Sequence, residues 1–177
     1  MRKQWFAFNK KASYEELGLF FARCCEIFHK EAPQAKIILC LDGYTSLNTD
    51  KMEKEDAFLP AIKAADIVSV DRYLSLHWGW PGDIAEKGVK SFKSFGTKRV
   101  YALVKKSAER YDRLCKKHKP MLLSELNADG DVNNPFGQSR MLKTFCNMIK
   151  NDKDKWLSGF TLYQFRDRGR LGHKSIL

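Results

Sequence analysis

Apolar positions along this chain switch repeatedly between strand-like runs and helical spacing. Residues 4–9 form a short aromatic run that predicts a strand, ending in the polar pair Asn9 and Lys10. Leu17, Phe20, Phe21, Cys24, Ile27 and Phe28 then recur on one helical face, with Ser13 and Glu16 reading as a capping box and Pro33 as the stop. Residues 36–41 are almost continuously apolar, as a parallel strand covered on both faces is, and Asp42, Gly43 and Tyr44 make its loop. Phe58, Leu59 and Ile62 predict a second helix within residues 52–65, where Pro60 blurs the start. Residues 67–73 predict a third strand.

The next segment, residues 74–96, holds Trp78, Trp80, Pro81, Phe92, Phe95 and several glycines without clear periodicity. A connection of that length is usually functional or disordered, and its aromatic content favours function; a loop packed on its own side chains is the alternative. Val100, Leu103, Val104, Tyr111, Leu114 and Cys115 predict a helix over residues 98–118. Pro120 leads into a short strand over residues 121–124, with Glu125 where that strand should end. A loop over 127–137, a helix over 138–150 and a last strand over 156–165 complete the order, and Arg166 to Gly169 close it.

Strict alternation of strand and helix argues for a parallel sheet built from right-handed crossover units, with about five strands. No strand is followed by GxGxxG or GxxxxGK[ST], which disfavours a nucleotide-binding doubly wound fold. An acid at the carboxyl end of a parallel strand faces the crevice in which such proteins do chemistry, although a solvated glutamate at a strand-to-loop boundary is the plainer reading of Glu125 alone.

Composition narrows the classes. At 177 residues and 44% hydrophobic, the chain suffices for one folded domain. Its net charge of +11 would attract polyanions, but Lys and Arg are spread along the chain and mixed with acids, and no nucleic-acid-binding module is present, so nucleic acid is disfavoured as a partner. The five cysteines lack CxxC or zinc spacing and read as reduced core residues, which favours a reducing compartment such as the cytoplasm. Neither a metal nor a cofactor is implied. No apolar run approaches the ~20 residues of a membrane span, and no signal peptide is expected at the start.

Several motifs, in order, resemble one family. Phe8, Asn9 and Lys10 precede a helix; then come Pro33, Gln34, Ala35 and Lys36; then Ser69, Val70, Asp71, Arg72 and Tyr73; then Lys119 and Pro120 with Ser124 and Glu125; and finally Gly159 to Asp167 with Leu162, Tyr163, Gln164 and Arg166 inside. Together they resemble strands four to eight of a clan A retaining (β/α)8-barrel glycoside hydrolase, closest to the xylosidase and iduronidase-like branch, across nearly the whole chain. The resemblance implies an incomplete TIM barrel forming a single domain and a carbohydrate ligand. It implies hydrolysis through two carboxyl groups, with Glu125 at the nucleophile position. It puts Asn9 where a sugar hydroxyl is contacted and Tyr73 where the nucleophile is oriented. Trp78, Trp80, Gln164 and Arg166 would line the cleft.

Two departures modify that picture. Lys10 stands at the acid/base position, where an ammonium with an ordinary pKa near ~10.4 is a poor general base and a ready ion-pair partner for Glu125. Asp71 stands where the family has a histidine. The expectation is therefore a glycosidase with impaired chemistry or, alternatively, a noncatalytic carbohydrate-binding or structural subunit on a glycosidase-derived scaffold. A complete barrel takes about 250 residues. Five strands leave open edges, so a second copy or another protein is expected to cover them.

Overall fold

Three strands carry the core. The computed structural model describes residues 11–42, 58–78, 91–128 and 136–163. Its elements are α1 (Lys11–Glu31), β1 (Ile38–Asp42), α2 (Leu59–Ala64), β2 (Ile67–Trp78), β3 (Ser91–Ser94), α3 (Thr97–Cys115), β4 (Met121–Ala128), α4 (Gly137–Asn151) and β5 (Leu157–Leu162). On β2, Val68, Val70 and Leu74 point one way; on β4, Met121, Leu123, Leu126 and Ala128 do the same, and Leu39 of β1 joins them. These side chains bury against Ala61 and Ile62 of α2, Val100, Val104, Ala108 and Tyr111 of α3, and Phe145 of α4. Because side chains alternate across a strand, the described helices thus form a layer over one face of the sheet.

β1, β2, β4 and β5 lie in that order and are all parallel. Spatial order follows chain order, so the described strands contain no reversal of the kind at which doubly wound sheets bind nucleotides. The expected α/β alternation is present, with four parallel strands among the described residues. The fifth strand expected from the sequence, residues 4–9, lies outside them.

Several expected boundaries shift. β2 continues past Tyr73 to Trp78, and its extension pairs antiparallel with β3, a strand that the irregular 74–96 stretch did not announce. β4 continues past Ser124 to Ala128, so Glu125 lies inside a strand and not at its end. Ser13 lies within the backbone of α1 and is not its N-cap. Pro60 falls in the first turn of α2, where its missing N–H has no helical partner to lose. The continuous apolarity of β1 does not reflect cover on both faces: Ile38 and Cys40 are exposed. Nor is Cys40 a core cysteine, whereas Cys25 is buried.

The lower end of the sheet is fastened by two charged groups. Asp66, just before β2, accepts from the Ile37 backbone N–H at 2.8 Å and contacts His29 Nε2 at 2.8 Å, joining α1, β1 and β2. Lys119, just before β4, is buried and donates through Nζ to the carbonyls of Ala65 and of Lys63, the latter at 3.2 Å, capping the end of α2. On the far side of the layer, Asp152 accepts from Tyr101, Lys105 and Trp156, which ties α3 to the start of β5.

Candidate functional site

The sheet face opposite the helices carries the polar residues. On β2 these are Ser69, Asp71 and Tyr73, which alternate with Val68, Val70, Arg72 and Leu74. On β4 simple alternation would give this face Leu122, Ser124 and Leu126. Instead the register steps from Val70↔Leu123 to Asp71↔Glu125, so β4 spends two residues where β2 spends one. This is a β-bulge, a device that re-aims side chains near functional sites. It lets Ser124 and Glu125 both leave the core while Leu123 and Leu126, on either side, stay fully buried. The β5 pairing carries the same step, from Leu123↔Phe160 to Leu126↔Leu162.

Two hydrogen-bonded groups result. In the upper one, the Tyr73 hydroxyl donates to Glu125 Oε2 at 2.5 Å. Burial, and then the hydrogen bond to the Glu125 carboxylate, push the Tyr73 phenol well above its ordinary range, so it remains a donor at any pH near neutrality. The Tyr163 ring meets Tyr73 edge-on at 6.3 Å between centroids. In the lower group, Ser124 Oγ donates to Asp71 Oδ1 at 2.7 Å, Ser69 Oγ donates to Ser124 Oγ at 3.0 Å, and Cys40 Sγ lies 3.0 Å from Ser124 Oγ and 3.4 Å from Asp71 Oδ1. Asp71 is thus committed to a chain of hydroxyl and thiol groups, while among the described residues Glu125 accepts from the Tyr73 phenol.

Backbone register sets Asp42, Asp71 and Glu125 in one row across β1, β2 and β4. Asn127, two residues beyond Glu125 and opposite Tyr73, accepts from the Gln138 side chain at 3.4 Å. Among the described residues no group of three or more His, Cys, Asp or Glu side chains could hold a metal ion, and no helix is long and apolar enough to cross a membrane.

Of the residues singled out from sequence, Glu125 and Tyr73 are brought together. Trp78 ends β2, and its side chain is outside the described structure; Asn9, Lys10, Trp80, Gln164 and Arg166 also lie outside the described residues. Sequence reading missed Cys40, Ser69 and Tyr163 as neighbours of the site. For Cys40 and Ser69 a signal existed: they are register partners, and with Asp71 two positions further on they share one face of two parallel strands.

Four parallel strands in sequential order, with a phenol–carboxylate pair on the sheet face away from the described helices, define this protein as an α/β protein with a candidate site on the sheet. No protein-family model and no curated protein matches the chain.

Proposed function

We propose that the chain is part of a (β/α)8-barrel glycoside hydrolase scaffold and that Glu125 occupies the position of the nucleophile of a retaining mechanism. The observation that carries this reading is the 2.5 Å hydrogen bond from Tyr73 to Glu125 on the polar sheet face. One carboxylate oxygen is fixed by a phenol that stays protonated, and in this reading the other approaches an anomeric carbon. Sequential strand order, with the described helices on a single face, supports the barrel, since a sheet wound in one sense curls toward closure with its other side inward.

In this reading Glu125 Oε1 attacks the anomeric carbon, the glycosidic C–O bond breaks, and a glycosyl ester forms with departure of the leaving oxygen. Water then attacks the same carbon, releasing the sugar and restoring the carboxylate. Lys10, at the acid/base position by resemblance, makes protonation of the leaving group inefficient, so hydrolysis of natural glycosides is expected to be very slow.

A noncatalytic carbohydrate-binding or structural subunit is the second reading. It is favoured by the engagement of Asp71 with Ser124 and Cys40, at a position where the resemblance calls for a histidine.

Aryl glycosides with good leaving groups need little acid assistance and separate the two readings. Turnover that azide accelerates and that Glu125→Gln abolishes supports the nucleophile. Absence of turnover across a panel of sugars and pH values leaves the noncatalytic scaffold.

A further inference from the structure

Charges that are scattered along the sequence are sorted by the fold. α1 and α2 are in balance, with Lys11, Arg23, Lys30 and Lys63 against Glu15, Glu16, Glu26 and Glu31. The other half of the helical layer is not. α3 and its C-terminal turn expose Lys98, Arg99, Lys106, Arg113, Lys116 and Lys117, with Glu109 as the exposed acid among them. α4 and the turn after it expose Arg140, Lys143, Lys150, Lys153 and Lys155. The remaining acids of this half are engaged: Asp152 and Asp154 accept from Lys105, and Asp112 accepts from the Lys119 backbone N–H and lies 3.2 Å from His118 Nδ1.

These cations form two ridges. Arg99, Lys106 and Arg113 recur two helical turns apart, roughly 10.5 Å per step along α3, and Arg140, Lys143 and Lys150 follow one face of α4. Tyr101 of α3 donates to the Met148 carbonyl of α4 at 3.5 Å, and Lys105 reaches Asp152 at 2.9 Å. Both helices lead into parallel strands, so the ridges run side by side in one direction. Along α3 and α4 the exposed large apolar side chain among the described residues is Phe136, at the α4 N-cap.

We propose that this half of the layer binds the phosphodiester backbone of double-stranded nucleic acid without regard to sequence. Helices pack about 8–10 Å apart, a separation comparable to the ~6–12 Å grooves across which a duplex presents its two lines of phosphates. From Arg99 to Lys117 the α3 ridge spans roughly 27 Å, or about eight base steps at ~3.4 Å. A single strand would call for a row of aromatic side chains on which successive bases stack, and one ring at Phe136 does not supply it. A membrane surface would call for apolar side chains interleaved with the basic ones, which these ridges lack. The sequence hides the surface because β4 separates α3 from α4 in the chain, and folding sets them together.

Fluorescence anisotropy of a labelled duplex of about 24 base pairs, prepared as RNA and as DNA and titrated with the full 177-residue chain, tests this. Both should bind in the micromolar range or tighter, and the tighter of the two identifies the preferred duplex. Contact with about four phosphates should weaken binding on the order of hundredfold between about 50 and 200 mM salt. Arg99→Gln with Lys106→Gln and Lys150→Gln changes exposed positions, and it should weaken binding roughly tenfold or more and flatten the salt dependence, with unchanged circular dichroism. Arg23→Gln with Lys30→Gln and Lys63→Gln removes the same charge from the balanced half and should bind within about twofold of the wild type. If the first set unfolds the chain, Lys106→Gln with Lys150→Gln carries the test. No binding at about 50 mM salt, equal losses in the two sets, tighter binding to a single strand, or capture by phosphatidylserine vesicles in place of the duplex would each overturn the proposal. Glu125→Gln should bind the duplex as the wild type does, so failure of the glycosidase reading and failure of this one are separately visible.

Discussion

The Tyr73 hydroxyl donates to Glu125 Oε2 at 2.5 Å, across two neighbouring strands whose register shifts just below the contact. A hydrogen bond to an ionised carboxylate contributes about 1.5–3 kcal/mol, which corresponds to roughly tenfold to hundredfold in rate where the bond orients a nucleophile. Tyr73→Phe should therefore lower turnover of activated aryl glycosides by about that factor and leave the fold intact. Equal activity in the variant, measured alongside Glu125→Gln, would remove Tyr73 from the site.

The same bond shapes the alkaline limb of stability. Tyr73 is held above its ordinary pKa of 10.0 by burial and by the Glu125 carboxylate, and Tyr101 is raised by burial and by Asp152. The folded state therefore holds more protons than the unfolded state at pH values above 10, and the stabilisation present below that pH is lost as pH rises through it. As far as these groups decide it, urea midpoints in the wild type should stay level between about pH 8 and 10 and fall above about pH 10. The fall should be shallower in Tyr73→Phe, with Tyr101, and Lys105 raised by Asp154 and Asp152, contributing to the remainder.

Acid acts in part through Asp66, along with Asp152, whose carboxyl the Tyr101 and Lys105 hydrogen bonds also lower. The backbone N–H of Ile37, then His29, lower the Asp66 carboxyl from 3.8 to about 2. Here the unfolded state binds the extra proton, so the contribution is complete above pH 3.8 and disappears as pH falls toward 2. Asp66→Asn should lower stability at neutral pH and flatten the stability profile between those values. An unchanged acid limb in the variant would assign acid unfolding to other carboxylates.

Lys119 offers a test of the scaffold independent of the site. Its buried ammonium donates to the carbonyls of Ala65 and Lys63, and removal strands those acceptors in the interior at about 1–3 kcal/mol each. Lys119→Ala should destabilise by about 2–4 kcal/mol in urea unfolding, more than Lys106→Ala on the outer surface of α3.

Much of this fold is written in residue periodicity. The apolar spacing over α3 and α4 and the valine and leucine runs of β1 and β2 predict those elements within a few residues, because burial against one layer demands those periods. Three features were not legible, each for a physical reason. The stripe Leu17, Phe20, Ile27 and Phe28 predicts the buried face of α1, yet Gly18 and Cys25 occupy it; small residues allow close approach of α2, while the larger side chains remain outside. β3 and the end of β2 depend on pairing with each other, which a stretch rich in glycine and tryptophan does not encode by alternation. The Glu125 bulge also breaks period two, so Met121 to Ser124 reads as a complete strand and Glu125 as its terminus. As for the site, proximity of Tyr73 and Glu125 was suggested only by resemblance to a family, since nothing in spacing relates residues 52 positions apart.

Because β4 contains one residue more than its neighbour between Leu123 and Leu126, its two halves are out of phase. A strand transplanted here from a regular sheet, with its inward and outward residues in strict alternation, would turn either Leu123 or Leu126 toward water or would drive a carboxylate into the core. The position after Leu123 is thus where an engineer seeking a new acid, base or ligand on this sheet can add one without disturbing the hydrophobic layer behind it. For the same reason, deletion of a single residue is a sharper probe of this strand than any substitution.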